Sequence, residues 1–243
     1  MSNKAISFLA AALLCIIPVK AEAQSLWTSV EADYKLTKKW GLSAEGEYRT
    51  QDNFSNTERW AATISAEYKA WSHLKIAGGY TYIYQHCPNE TTKKGNIIPQ
   101  YWQPKHRAFF SLSGSYKWHN IEFSLRERYQ YTYRPNQYVT KYDDDRITRK
   151  TDEIIKTKNQ HVMRSRIQVE YDKKKCKFTP YASCELYNSF TDGFRTEKTR
   201  WTIGSSYKID KKNSVDLYYR YNDENDDDNE GGHVIGIGYK FKL

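Results

Sequence analysis

The strongest constraint on this chain is a strand ending that recurs along its whole length. Six runs of alternating polar and apolar residues close on a tyrosine that is followed by lysine, once with an aspartate between the two. The six tyrosines are Tyr34, Tyr68, Tyr116, Tyr171, Tyr207 and Tyr239. A period of two residues is typical of β-strands whose two faces meet different surroundings. The repeat therefore predicts a series of equivalent strands that end at one common level.

Eleven such runs can be delimited after residue 23, and no stretch there has a convincing helical period. They cover residues 26–36, 40–50, 58–70, 74–84, 105–116, 121–133, 161–171, 176–190, 198–209, 214–222 and 233–243. Several reach the ~9–11 residues that a tilted strand needs to cross a hydrocarbon layer. Short turns follow the odd-numbered runs, and longer polar connections follow the even-numbered ones. This asymmetry is typical of the periplasmic and extracellular ends of an outer-membrane barrel.

The two faces of each run differ in chemistry. In the third run, Trp60, Ile64 and Tyr68 alternate with charged residues such as Arg59 and Glu67. We expect the apolar face to contact lipid and the amphipathic rings to gather at the headgroup level. The interface aromatics expected at or near the short turns are Trp40, Trp71, Trp118, Tyr34, Tyr68, Tyr116, Tyr171, Tyr207 and Tyr239. A second belt toward the opposite ends is expected to contain Trp27, Trp60 and Trp201.

These features predict an all-β fold, an antiparallel transmembrane β-barrel of about 10–12 strands. Eleven strands cannot close with antiparallel pairs alone. Either one run lies outside the wall, or a further crossing is hidden within residues 134–160, although an odd barrel with one parallel pair exists in mitochondria. A soluble sandwich or lipocalin-like barrel is the alternative fold, because its strands also alternate.

Residues 1–23 have the organisation of a secretory signal peptide. Lys4 precedes an apolar run over residues 5–19, and an Ala-Glu-Ala segment ends at residue 23. The apolar run is too short for a membrane-spanning helix. We therefore expect cleavage before Gln24, one barrel domain over residues 24–243, and a location in the outer membrane.

Three segments resemble a known family: Leu26-Trp27-Thr28, residues 207–221 and residues 233–239. On these segments the whole mature chain resembles the Bacteroidota outer-membrane family catalogued as domain of unknown function 2490. The resemblance implies a membrane barrel. The family is assigned no activity, so the resemblance leaves the function open.

The predicted inner face carries charges of opposite sign on different strands. Its arginines are Arg126, Arg128, Arg164, Arg166 and Arg200. Its carboxylates are Glu31, Asp33, Glu45 and Glu47. In a water-filled pore this separation would orient dipolar or anionic solutes, whereas in a collapsed lumen the same groups would pair. The sequence leaves two functions open: a narrow, porin-like solute channel, and a structural or surface-interaction barrel.

Catalytic chemistry finds little support in the sequence. Outer-membrane lipid hydrolysis needs a histidine beside a hydroxyl nucleophile, but His106, His161 and His233 are each followed two residues later by an apolar residue. The cysteines and acidic clusters lack an ordered metal-ligand spacing. We therefore expect a non-enzymatic protein without cofactor or metal. The alternatives are an outer-membrane lipid-modifying hydrolase and a secreted soluble barrel that carries a ligand.

The expected partners are outer-membrane lipid and lipopolysaccharide, with no role for nucleic acid. The last run, residues 233–243, resembles the terminal strand through which the barrel-assembly machinery recognises its substrates. A small solute is a further candidate partner, and we expect a monomer. Glu127 is an irregularity because it takes an outward position near mid-strand, where a carboxylate facing lipid is costly. A β-bulge or a protein contact would explain it.

Overall fold

The computed structural model describes residues 25–174, 176–191, 193–224 and 232–243. The predicted signal peptide and its cleavage site lie outside these residues. The described strands are β1 (Ser25–Tyr34), β2 (Trp40–Gln51), β3 (Asn56–Trp71), β4 (Leu74–Cys87), β5 (Glu90–Thr91), β6 (Ile97–Ile98), β7 (Tyr101–Trp118), β8 (Ile121–Arg134), β9 (Gln137–Tyr142), β10 (Arg149–Ile155), β11 (Lys158–Tyr171), β12 (Phe178–Ser189), β13 (Arg195–Lys208), β14 (Asn213–Glu224) and β15 (Gly232–Lys242). In this part of the chain, no helix is long and apolar enough to cross a membrane.

Eleven of the described strands close into one barrel, in the order β1-β15-β14-β13-β12-β11-β8-β7-β4-β3-β2. The predicted all-β barrel of about 10–12 strands is therefore confirmed. All neighbouring pairs are antiparallel except β1 and β15, which pair in parallel from Ser25 opposite Val234 to Asp33 opposite Lys242. This parallel pair resolves the odd strand number. As a result, β1 starts at the long-loop end of the barrel and β15 finishes at the short-turn end.

The short turns are fixed by side chains that cap the backbone. Thr37 Oγ1 accepts hydrogen bonds from the backbone nitrogens of Lys39 at 3.1 Å and Trp40 at 2.9 Å. In the turn before β14, Asp210 Oδ1 accepts from the backbone nitrogens of Lys212 and Asn213. Thr and Asp favour such turns because their short side chains reach backbone groups two or three residues ahead.

The alternative of a hidden crossing within residues 134–160 is wrong. The strands there, β9 and β10, form a hairpin that joins β5 and β6 in a separate four-stranded sheet. Both strands are shorter than the ~9–11 residues of a membrane-crossing strand. Ile98 and Val139 are buried in this part of the protein. The two longest connections at this end thus form an ordered structure beside the long-loop rim.

Candidate functional site: the barrel lumen

Strand parity sorts the wall side chains into an outer and an inner face. Outer apolar side chains are widely exposed, such as Val30 at 60% and Ile64 at 64%. The nine aromatics predicted for one belt all lie on this outer face toward the short turns. Two of them, Trp40 and Tyr68, pack with ring centroids 4.9 Å apart. The outer face is therefore apolar across its middle and aromatic at this edge.

Trp27 is not part of an outer belt, and its predicted position is wrong. It shares strand parity with Glu31 and is only 2% exposed. The guanidinium carbons of Arg49, Arg220 and Arg200 lie 3.3, 4.9 and 5.0 Å from a ring centroid of Trp27. Cations favour the negative face of an indole ring. We call these four side chains the Trp27 cluster, and it fills part of the lumen in the long-loop half.

A polar cavity of about 740 Å³ occupies the lumen. Its lining extends from Glu197 and Lys198 near the long-loop end to Ser43 and Ser206 near the short turns. Eleven lysine and arginine side chains and seven carboxylates line it. The described part of the cavity therefore has an excess of positive charge.

The structure places most of the predicted inner charges on this cavity. Those that line it are Arg126, Arg128, Arg164, Arg166, Arg200, Glu31, Glu45 and Glu47. Asp33 is not among the lining residues and instead pairs with Lys240 at 2.8 Å, near the short-turn end. Lys240 also contacts Glu31 at 3.1 Å. Sequence reasoning missed Lys240, although its alternation with Tyr239 and Phe241 indicates an inward position.

Glu185 is the main residue that sequence reasoning missed. One of its oxygens accepts a hydrogen bond from Arg126 at 2.5 Å, and Arg164 contacts both oxygens at 3.0 and 3.1 Å. Arg200 Nη1 lies 3.8 Å away, and Tyr187 donates a further hydrogen bond at 3.0 Å. We call Glu185 and its three arginines the Glu185 cluster. The alternation of the run over residues 176–190 contained the signal, since it places Glu185 on the inner face.

A second carboxylate, Glu47, is paired on its own side of the lumen. It contacts Arg49 at 2.8 Å and Arg59 at 3.1 Å. Arginines and carboxylates are therefore intermixed within each wall. The separation by strand that the sequence indicated is incomplete.

Arg128 and Arg166 differ from the other inner arginines. In the part of the chain that the structure describes, neither side chain has a hydrogen bond or an ion pair. Arg128 instead lies over the ring of Phe109, 4.1 Å from its centroid. The ladder places Arg128 opposite Arg164 and Arg166 opposite Arg126. Like charges directly opposite each other are destabilising, so the two pairs of arginines repel each other.

One family model matches most of the chain. Residues 24–232 match the model of a family described as Protein of unknown function (DUF2490). The chain belongs to this family. A comparison of this DUF2490 protein with curated proteins found no match. Membership assigns the chain no role, because the family is described as one of unknown function.

On the outer face of the DUF2490 barrel, three tyrosine–histidine units repeat with one geometry. The hydrogen-bonded pairs are Tyr80 with His106 at 2.6 Å, Tyr129 with His161 at 2.6 Å, and Tyr219 with His233. On the strand that carries the hydrogen-bonded tyrosine, the residue directly opposite each histidine is also a tyrosine: Tyr82, Tyr131 and Tyr221. The recurring Tyr-x-Tyr segments were a signal for these units that sequence reasoning missed. The hydrogen-bond partner of each histidine is a tyrosine, and no serine or threonine hydroxyl bonds to these histidines in the described residues.

Glu127 lies on the same outer face and accepts a hydrogen bond from Ser165 Oγ at 2.6 Å. The ladders of β8 with β7 and with β11 have no register shift, so the bulge hypothesis is wrong. The contact that satisfies this carboxylate comes from the same chain. Among the described residues, no group of three or more His, Cys, Asp or Glu side chains is placed to hold a metal ion.

Proposed function

We propose that this protein is a non-enzymatic outer-membrane β-barrel that provides a narrow passage with a preference for anionic solutes. The observation that carries the proposal is the polar cavity that extends toward both ends of the lumen with an excess of cationic side chains. Cationic linings lower the barrier for anions because the low-dielectric wall concentrates their field. In this proposal the barrel is a monomer that contacts lipid and lipopolysaccharide, and the assembly machinery recognises its last strand.

The outer face supports the membrane location. Side chains such as Ile64, Ile167 and Leu217 are exposed by more than half, and an apolar surface this extensive is unusual on a soluble monomer. On β7, ten residues separate Tyr116 near the short turns from His106. At ~3.3 Å per residue and a tilt of ~40°, this distance is about 25 Å, the height of the apolar band on known membrane barrels.

Fractionation with a heat-modifiability gel tests the location. We expect the protein in the detergent-extracted outer membrane, with different migration before and after boiling. A compact species that stays soluble in detergent-free buffer would instead support the soluble carrier.

Conductance in a planar bilayer tests the passage. We expect small, resolved, anion-preferring steps from the folded protein. Arg128→Glu combined with Arg166→Glu should weaken the preference, because two unpaired cations become anions in the cavity. Arg149→Glu is the matched control, since Arg149 lies on β10 outside the barrel wall and is widely exposed. Unchanged selectivity in the double variant contradicts the assignment.

A closed structural or surface-interaction barrel is the second candidate, and the Trp27 and Glu185 clusters favour it because they narrow the lumen. The sheet of β5, β6, β9 and β10 would then present the binding surface, where Tyr138 is 70% exposed. An absence of conductance from protein that is verified to be folded supports this candidate. In that case Trp27→Ala should produce conductance, whereas Trp60→Ala on the outer face should not.

A further inference from the structure

We infer that the lumen contains a binding site for a compact, doubly charged anion of the phosphate type, held by Arg128 and Arg166. The inference deepens the proposed passage by naming a ligand class, and it rests on that passage for access. The site lies on the wall formed by β8 and β11. The ion pairs of the Glu185 cluster connect this wall to β12.

The first argument is the packing of four arginines on two adjacent strands. Arg126 and Arg128 on β8 lie opposite Arg166 and Arg164 on β11 in an uninterrupted ladder. All four line the cavity. Arg128 and Arg166 are diagonal neighbours, which places their backbones ~7–8 Å apart. Arginine side chains on backbones at this spacing are long enough to contact one small ion together, with the Arg128 guanidinium leaving its place over the Phe109 ring.

The second argument is that the carboxylate in contact with this group of arginines is already shared. Glu185 accepts hydrogen bonds from Arg126 and Arg164 and lies 3.8 Å from Arg200. Glu185 thus contacts three cations, and among the described residues no carboxylate forms an ion pair with Arg128 or Arg166. Removing an arginine from bulk water without a paired anion is costly. Two unpaired cations match the charge of one dianion.

The third argument concerns the shape and polarity of the surroundings. Guanidinium groups present planar forks of N–H donors that suit phosphate oxygens. Gln168 and Ser183 line the same cavity and offer neutral hydrogen-bond partners. Glu31 and Glu45 lie on β1 and β2, and no ion pair or hydrogen bond occupies the Glu45 carboxylate in the described residues. By the strand order, both carboxylates lie across the lumen from β8 and β11. On the arginine wall itself, the Glu170 carboxylate lines the cavity and accepts a hydrogen bond from Gln168.

Thermal unfolding of the folded barrel in detergent tests the inference, with inorganic phosphate as the probe and chloride at matched ionic strength as the reference. A ligand that binds only the folded state raises the unfolding temperature progressively with its concentration. We expect phosphate to stabilise the wild type more than chloride does. Arg128→Gln combined with Arg166→Gln should weaken the apparent phosphate affinity by at least ~10-fold, since the charge-assisted hydrogen bonds are lost.

Arg149→Gln on β10 is the matched control and should keep the wild-type response. Without phosphate, the double variant should unfold at a higher temperature than the wild type, because repulsion between the arginines is relieved. This second readout also shows that the variant folds. Equal stabilisation by phosphate and chloride, or a double variant with wild-type phosphate affinity, overturns the inference. The measurement needs no membrane, so its failure is distinguishable from an absence of conductance.

Discussion

The inner and outer faces of the barrel wall each contain a glutamate near mid-strand, and the two are held very differently. Glu185 on the inner face is 4% exposed and belongs to a cluster with three arginines. Glu127 on the outer face accepts one hydrogen bond from the neutral Ser165. The contrast shows that the inner face holds its glutamate with cations, whereas the outer face holds Glu127 with one neutral hydrogen bond among apolar neighbours such as Leu112 and Leu186.

The two faces also use glycine differently. A Cβ atom on the inner-facing Gly236 would overlap the ring of Tyr218, and one on Gly204 would lie 2.7 Å from Tyr181. On the outer face, nothing lies within 4 Å of a Cβ added to Gly46. These two inner glycines therefore make room for tyrosine rings. The lumen is packed like a protein core around its cavity, and small changes there should be costly.

The largest expected effect comes from Glu185→Ala. It leaves Arg126, Arg164 and Arg200 without their shared carboxylate, and breaking a buried pair from one side costs about 3–5 kcal/mol. Urea unfolding from lipid vesicles measures the loss in the free energy of unfolding. Glu170→Ala is the inner-face control, because Glu170 accepts one hydrogen bond from Gln168 and has no ion pair in the described residues. Equal losses from the two variants would contradict the central role of the Glu185 cluster.

Gly236→Ala should cost about 1–3 kcal/mol, the usual penalty for overpacking. The added methyl group collides with the Tyr218 ring, and the same unfolding assay measures the change. Gly46→Ala should change the free energy of unfolding by no more than ~0.5 kcal/mol. A Tyr218→Ala background should remove most of the penalty at Gly236. If the penalty persists there, the cause is the backbone and not the ring.

Glu127→Leu combined with Ser165→Ala tests what the outer face contacts. If that face meets hydrocarbon, replacing the polar pair should stabilise the barrel in vesicles by about 1–2 kcal/mol, since a carboxylate is disfavoured among acyl chains. Ser165→Ala alone should destabilise it by about 1–3 kcal/mol, because Glu127 loses its hydrogen bond. A double variant with unchanged stability would indicate an outer face in contact with water.

Local alternation was sufficient to predict the eleven barrel strands and the facing of most of their side chains. The eleven predicted runs correspond to the barrel strands, and parity correctly separated Trp60 and Ile64 from Arg59. Trp27 was predicted on the outer face because it lies near a strand end. Its strand parity, which it shares with Glu31, indicates the inner face. A period-two pattern predicts which face of the wall a side chain lies on. It predicts less reliably how far along the barrel axis that side chain lies.

The features that sequence reasoning missed depend on which strands are neighbours. The parallel pairing of β1 with β15 joins segments from opposite ends of the chain and has no local signature. The tyrosine–histidine units need the register across long connections before a diagonal hydrogen bond can be foreseen. Alternation predicts Glu185 on the inner face. Its three arginine partners come from β8, β11 and β13, so the ion pairs cannot be predicted without the strand order.

The smallest expected change in the free energy of unfolding comes from a substitution at the short turns, between the strands. Asp172 accepts hydrogen bonds from Lys117 at 2.8 Å and from Lys208 at 3.2 Å, which ties the turn after β11 to β7 and β13. The hydrogen bond from Lys117, reinforced by that from Lys208, lowers the pKa of Asp172 below its usual value. A lowered pKa in the folded state adds stability above the unfolded pKa of ~3.9 and loses it as the pH falls through the folded value.

Asp172→Asn should therefore cost less than ~1 kcal/mol at neutral pH, as expected for a partly exposed pair. The difference from wild type should shrink as the pH falls below about 4. Unfolding at a series of pH values measures this trend, and high salt should weaken it. In a Lys117→Met, Lys208→Met background, the effect of Asp172→Asn should be nearly independent of pH. A loss that stays constant with pH in the wild-type background would mean that Asp172 stabilises the turn through its shape and not through its charge.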